Sequence, residues 1–246
     1  MGTSSFEFSW SGEQLVQDLP LLIRQAVEET GVAPRAPASF GERFAAAFTR
    51  AVEICLASAA LVLLSPIMLT VAVIVRLDSP GPALFRQLRI GKNGRLFVFY
   101  KFRTLYADAL QRFPELYSYQ YTPKEIEELQ FKREDDPRVT RAGSWLRKST
   151  LDEIPNFWNL LKGDVAIVGP RPEIPEMLRY YYPDQMIKFS VKPGITGLAQ
   201  TKGRGRLKFQ QTNAYDVEYV KHKSFWLDCK IVSKTIRLVV RLDGAF

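Results

Sequence analysis

Histidine and cysteine are nearly missing from this 246-residue chain, which has one of the first and two of the second. His222 alone excludes any site built from several histidines, and it stands between Lys221 and Lys223 as an ordinary surface residue would. Cys55 and Cys229 lie far apart and fit neither a zinc spacing nor a disulfide framework, which points to a reducing compartment. The chain has no Walker lysine motif, no dinucleotide fingerprint after a strand, no internal repeat and no low-complexity tract. No apolar run follows Met1, so no secretory signal is expected.

Negative charge is also in short supply. Against 34 Lys and Arg there are 26 Asp and Glu, a formal charge of +8, with a pI near 9.5. Such an excess asks for anionic partners: nucleic acid, an anionic membrane surface or phosphorylated substrates. The length suits one catalytic domain with extensions.

What the chain does contain is one long apolar run. Residues 54–75, ICLASAALVLLSPIMLTVAVIV, carry no charge and are long enough to cross a bilayer core. Ser65-Pro66 stands in the middle; proline removes a helical hydrogen bond, and a serine hydroxyl can re-satisfy the freed carbonyl. Basic residues flank both ends (Arg35, Arg43 and Arg50; Arg76, Arg86, Arg89, Lys92 and Arg95), so charge assigns no polarity. A kinked spanning helix, a helix that enters, breaks and returns to the same face, and a buried soluble helix all remain open on this ground.

Around that run, helical spacing at Leu15, Leu19, Leu22, Ile23 and Val27 predicts an amphipathic helix over residues 13–32, followed by a Pro- and Ala-rich linker. Residues 83–100 predict a β-hairpin turning at Gly91-Lys92-Asn93-Gly94. Residues 176–190 mix aromatic and basic side chains, as membrane-interface helices and partly buried surface helices both do. Residues 226–242 set Leu227, Ile231, Ile236 and Val239 against Lys230, Lys234, Arg237 and Arg241, a basic amphipathic helix.

The chemistry concentrates in residues 149–173. Thr150 with Glu153 three places on reads as a capping box, with Pro155 in the first turns of the helix it starts. Asp152 and Glu153 would then sit in the positive field of a helix N-terminus, which keeps carboxylates ionised and attracts phosphate. An ionised Asp152 can attack phosphorus, and Glu153 can hold a divalent cation. Cations are at hand: Arg147 five residues earlier, Lys101 and Arg103 after a strand, and Arg171 held between Pro170 and Pro172. The Gly-rich basic loops at 192–197 and 202–206 can bring backbone N–H groups to phosphates, though Pro-Gly also marks simple turns.

Taken together, the ordered blocks resemble the bacterial sugar transferases, the monotopic phosphoglycosyl transferases. They are the apolar segment with Ser65-Pro66, KFRTL at 101–105, LRKSTLDEIPNFWNLLKGD at 146–164, VGPRPE at 168–173 and KPGITGLAQ at 192–200, with Asp216 and Asp228 later. The resemblance covers about residues 40–246 and implies a polyprenyl-phosphate sugar-phosphate transferase in its minimal catalytic form. It implies Asp152 as nucleophile and Glu153 as its metal-binding partner for Mg²⁺. Lys101, Arg147 and Arg171 would bind substrate phosphate, with Lys192, Thr196 and Arg204 near the nucleotide; Arg103 is added to the phosphate-binding set for its place beside Lys101 after the strand. It also implies a membrane helix made re-entrant by Ser65-Pro66. One departure stands out: family members commonly have an asparagine-rich NGR segment where this chain reads TKGRGR at 201–206.

The expected architecture is mainly α with a small β-hairpin, a monotopic membrane protein with interfacial amphipathic helices. Residues 1–40 are expected as an extension, 41–78 as the re-entrant helix and 79–246 as the catalytic domain. The expected partners are a UDP-sugar, polyprenyl (undecaprenyl) phosphate and membrane lipid at the cytoplasmic face of the bacterial inner membrane, with no nucleic acid. Residues 1–40 are open to two uses, an extra anchor or a homodimer contact. The competing class is a non-catalytic basic scaffold that binds anionic lipid.

Overall fold

The computed structural model describes residues 12–29, 40–130, 135–203 and 206–240. Ten helices and two small sheets are present among them. In chain order the helices are α1 (Gly12–Glu29), α2 (Phe40–Leu63), α3 (Ser65–Asp78), α4 (Ala109–Arg112), α5 (Pro123–Glu128), α6 (Arg141–Ser149), α7 (Asn156–Lys162), α8 (Leu198–Gly203), α9 (Phe209–His222) and α10 (Phe225–Val240). Strands β1 (Leu84–Ile90) and β2 (Leu96–Phe102) form an antiparallel hairpin; β3 (Ala166–Val168) and β4 (Gly194–Thr196) form a short parallel pair that the sequence did not announce.

The break at Ser65-Pro66 separates α2 from α3. Pro66 has no N–H for the carbonyl of Val62, and the Ser65 hydroxyl donates to that carbonyl instead, at 2.7 Å. Both limbs are anchored in the same body. Arg50 donates to the carbonyls of Leu160 (2.7 Å) and Leu161 (2.6 Å) near the end of α7. Val71 and Val75 of α3 pack with Phe102, Leu146 and Ile154. Between these anchors the surface is apolar and open, with Val62, Leu63 and Leu69 about 70% exposed. Among the described residues, Arg43–Leu63 is the helical segment long and apolar enough to cross a membrane.

The hairpin forms as its sequence requires. Leu84 pairs with Phe102 and Ile90 with Leu96. Asn93 (φ 54°) and Gly94 (φ 79°) supply the two left-handed residues of a tight turn. Gly94 also lets α1 approach, because a Cβ there would meet Leu19 Cγ at 3.1 Å. Leu19 and Ile23, one turn apart, enter the largest core cluster with Ile90, Met177, Leu178, Phe189 and Phe209. Burying one such leucine contributes roughly 1.5–3 kcal/mol, so α1 belongs to the body it touches.

Two expectations about local structure need correction. Residues 176–190 form no interfacial helix; Pro175 and Pro183 start two 3₁₀ segments, Pro175–Tyr180 and Pro183–Ser190, and Met177, Leu178, Met186, Ile187 and Phe189 are core residues. No capping box starts a helix at Thr150. Instead α6 ends there: Thr150 adopts φ 59°, its side chain caps nothing, and Leu151–Glu153 is a separate 3₁₀ turn before α7. On α10, Ile231 is buried against Val168 and Tyr219, while Phe225, Trp226, Ile236 and Val239 stay exposed.

Candidate active site

The paired acids occupy the 3₁₀ turn between α6 and α7. Asp152 is 5% exposed, and it lines a cavity of about 680 Å³. Lys101, the last-but-one residue of β2, sits against both acids: its Nζ lies 2.6 Å from Glu153 Oε1 and 3.9 Å from Asp152 Oδ2. This register is held by Asn159, which is fully buried on α7. Its Nδ2 donates to the carbonyl of Val98 (2.7 Å), and its Oδ1 accepts the N–H of Tyr100 (3.1 Å). The amide thus behaves as a piece of neighbouring strand and ties β2 to the helix that follows the acids.

Arg147, on the last turn of α6, reaches the cavity from a second side. Its Nε donates to Thr104 Oγ1 at 3.1 Å, and its Nη1 lies 3.9 Å from Asp136 Oδ2. Burial lowers its pKa, opposed by the charges of Asp136 and Asp152. Asp136 is itself fixed by Arg138, at 2.8 Å from Nε and 2.9 Å from Nη2. Burial would raise that carboxyl, but the Arg138 hydrogen bonds and the charges of Arg138 and Arg147 outweigh burial and hold it below the usual range.

Arg171 lines the cavity from the Pro170–Pro172 loop, and Arg89 lines it from β1. Arg89 donates to the carbonyl of Pro172 at 3.0 Å and lies 3.9 Å from Glu173. Desolvation brings its pKa down to about 10, so it is still charged at neutral pH. The cavity therefore presents five cationic side chains, Arg89, Lys101, Arg138, Arg147 and Arg171, around the buried carboxylates of Asp152 and Glu173, with Asp136 paired to Arg138 in the same wall. Such a wall matches a diphosphate.

Not every expected residue joins them. Arg103 is 4% exposed and gives its donors to Pro82, Pro80, Ser79 and Val75, so it caps the end of α3. β2 ends at Phe102, so strand alternation no longer aims residue 103 with Lys101. Thr196 is buried with its hydroxyl 2.6 Å from that of Thr235 on α10, outside the cavity lining. Lys192 lies beside Gly163, whose added Cβ would come within 3.4 Å of its Nζ, at the end of α7. Arg204 falls outside the described residues. Conversely, Arg89, Asp136, Arg138 and Asn159 had no signal in the sequence beyond residue type.

Among the described residues no three His, Cys, Asp or Glu side chains converge as a metal cage. The donors at the turn are two carboxylates, Asp152 and Glu153, already bridged by an ammonium. That set fits Mg²⁺, which takes one or two protein carboxylates and completes its octahedron with phosphate oxygens and water.

Comparison with known proteins decides the family. The profile of the family described as "Bacterial sugar transferase" matches residues 44–242. The chain belongs to the bacterial sugar transferases. It is 43% identical over 166 residues to the galactosyl transferase CpsE of Streptococcus agalactiae, covering 67% of this chain and 36% of that protein. It is 38% identical over 195 residues to the UDP-glucose:undecaprenyl-phosphate glucose-1-phosphate transferase of Escherichia coli, covering 76% of this chain and 39% of the relative. With the exopolysaccharide production protein ExoY of Rhizobium meliloti it shares 35% identity over 199 residues, 80% of this chain and 87% of the relative. The chain thus spans about two-fifths of the first two relatives and most of the third. The residues matched by the family profile contain the hairpin, both acids and the Arg171 loop, whereas α1 precedes them.

Proposed function

We propose that this chain transfers a sugar phosphate from a UDP-sugar to undecaprenyl phosphate and releases UMP. The observation that carries this reading is a buried aspartate, held near a lysine, in a cavity walled by arginines beside an exposed apolar helix pair. In the first step an Asp152 oxygen bonds to the β-phosphorus, the bond from that phosphorus to the bridging oxygen breaks, and UMP leaves with the electron pair. In the second step a phosphate oxygen of the polyprenyl acceptor attacks the same phosphorus. The acyl-phosphate bond breaks, giving polyprenyl diphosphate sugar and a free Asp152 carboxylate. Lys101, Arg147 and Arg171 hold the phosphoryl oxygens, and burial of Asp152 keeps water from competing. Mg²⁺, held by Asp152 and Glu153, would neutralise diphosphate charge and polarise the P–O bonds.

The membrane part of the reading rests on length. The ten uncharged residues 54–63 rise about 15 Å as a helix, half of a hydrocarbon core of about 30 Å. An α2–α3 pair that enters, breaks at Ser65-Pro66 and returns explains why both limbs are tied to one body. The cavity then lies at headgroup depth on the cytoplasmic face of the inner membrane, where lipid phosphate meets a soluble nucleotide sugar. Trp226, Lys230, Lys234 and Arg237 of α10 would rest on the same surface.

The test is UMP release from a panel of UDP-sugars with Mg²⁺ and undecaprenyl phosphate, together with mass spectrometry after UDP-sugar alone. Release by the wild type and a sugar-phosphate adduct on Asp152 are expected. Release without adduct would reduce Asp152 to a metal ligand; no release from any donor, with liposome binding retained, would favour the scaffold.

A further inference from the structure

Behind the Arg171 loop lies a line of buried ionisable groups that the proposed chemistry does not use. Lys188 (2% exposed) and Asp216 (0%) form its centre, with Lys188 Nζ 2.8 Å from Asp216 Oδ2. The same ammonium donates to Tyr181 Oη at 3.0 Å and Asn213 Oδ1 at 3.3 Å, so its three protons have three acceptors. Tyr181 Oη in turn donates to Glu173 Oε2 at 2.9 Å. Asp216 Oδ1 accepts the backbone N–H of Arg171 at 3.4 Å. From the opposite side, Arg89 donates to the carbonyl of Pro172, and the N–H of Ile90 donates to the carbonyl of Glu173 at 2.8 Å.

Residues 171–173 are therefore gripped on three consecutive positions, by Asp216 of α9, by Arg89 and Ile90 of β1 and by Tyr181 at the end of the 3₁₀ segment Pro175–Tyr180, with Lys188 tying Tyr181 to Asp216. A buried ion pair is a poor way to gain stability, because desolvation offsets most of the attraction. Burial does push the Asp216 carboxyl up, against the pull of Lys188. What such a pair supplies is direction: both partners must be met, so the loop has one seat.

Resting on the transferase reading, we propose that Lys188 and Asp216 are positioning residues that seat the Arg171 loop against the cavity and act on the reaction through Arg171. Neither lines the cavity, so neither is placed to meet a substrate bound there. The pair Lys188→Met with Asp216→Leu removes both charges together and keeps the volume apolar, so the protein should fold and melt near the wild type. A single Asp216→Asn change strands the ammonium and serves as the harsher variant.

Two measurements test this. In the first, amide hydrogen exchange is followed on the full chain in detergent or nanodiscs. Exchange at residues 169–174 should rise in the paired variant, while α7 and the β1–β2 hairpin hold their wild-type rates; unchanged exchange at 169–174 would overturn the proposal. In the second, UMP release is compared in two backgrounds. The paired variant should lower kcat by about tenfold or more where Arg171 is present, as misplacement of a binding group does. In an Arg171→Ala background the same pair should change kcat by less than about twofold, the signature of residues acting through one partner. Equal losses in both backgrounds would mean a general structural role and would refute it. If the wild type releases no UMP, the transferase reading falls, and the exchange result still judges the loop.

Discussion

Two of the breaks between consecutive helices, α2 to α3 and α6 to α7, are built in different ways. Between α2 and α3 the break is local. Pro66 removes one hydrogen bond, Ser65 supplies its replacement at 2.7 Å, and the surroundings are exposed apolar side chains. Between α6 and α7 Pro155 likewise has no N–H for the carbonyl of Leu151, but that does not account for the left-handed turn at Thr150. Thr150 is a β-branched residue at φ 59°, a conformation that disfavours it. What holds that turn is remote: Lys101 on Glu153, and Asn159 on the β2 backbone. A break written into its own residues would suit a segment facing lipid, as the proposed function requires of α2 and α3, where no neighbour can complete the bonding. A break imposed by neighbours suits a reactive centre, because the same contacts that bend the chain aim its carboxylates.

The strongest way to break the second turn's chemistry is Asp152→Asn. UMP release should fall by about 10⁴-fold or more, in the range seen when a nucleophilic unit is disabled, with membrane retention unchanged. Full turnover would remove Asp152 from the mechanism. Lys101→Met tests the remote hold next. It should lower kcat by roughly 10²–10³-fold, as loss of a preorganised charge does, and it should leave Glu153 without its nearest cation.

Pro66→Ala attacks the first break. It returns an N–H to the carbonyl of Val62 and favours one continuous helix across residues 40–78. Cysteine-labelling of the catalytic body in vesicles should show part of the population moved across the bilayer, and activity should fall by that fraction. Unchanged topology would show that the anchors at Arg50 and Val71 suffice without proline.

Smaller effects should appear in stability. Asn159→Leu leaves the Tyr100 N–H and the Val98 carbonyl buried without the amide, at a cost of about 1–3 kcal/mol by thermal or denaturant unfolding. Thr150→Gly relieves the left-handed strain and should be neutral or stabilising by about 1 kcal/mol or less. A clear loss of stability there would mean that the Thr150 side chain holds the turn after all.

By itself, the sequence determined what depends on neighbours in the chain. The hairpin follows from Asn93-Gly94 between β-forming runs, and the split of α2 from α3 follows from Ser65-Pro66, because φ preferences and missing N–H groups act within a few residues. The family was legible in the same way, since its blocks are short and ordered. Tertiary structure decided the rest. It turned Thr150 from a cap into a left-handed hinge and turned Arg103 away from the cavity to close α3. It wound 176–190 into two 3₁₀ segments with a buried core face, where the sequence left a membrane-interface helix and a partly buried surface helix both open, and added Arg89 and Arg138 to the cavity wall. Each of these depends on which distant backbone carbonyl or charge comes within about 3 Å, the range of a hydrogen bond, and that distance is fixed only when the whole chain has packed.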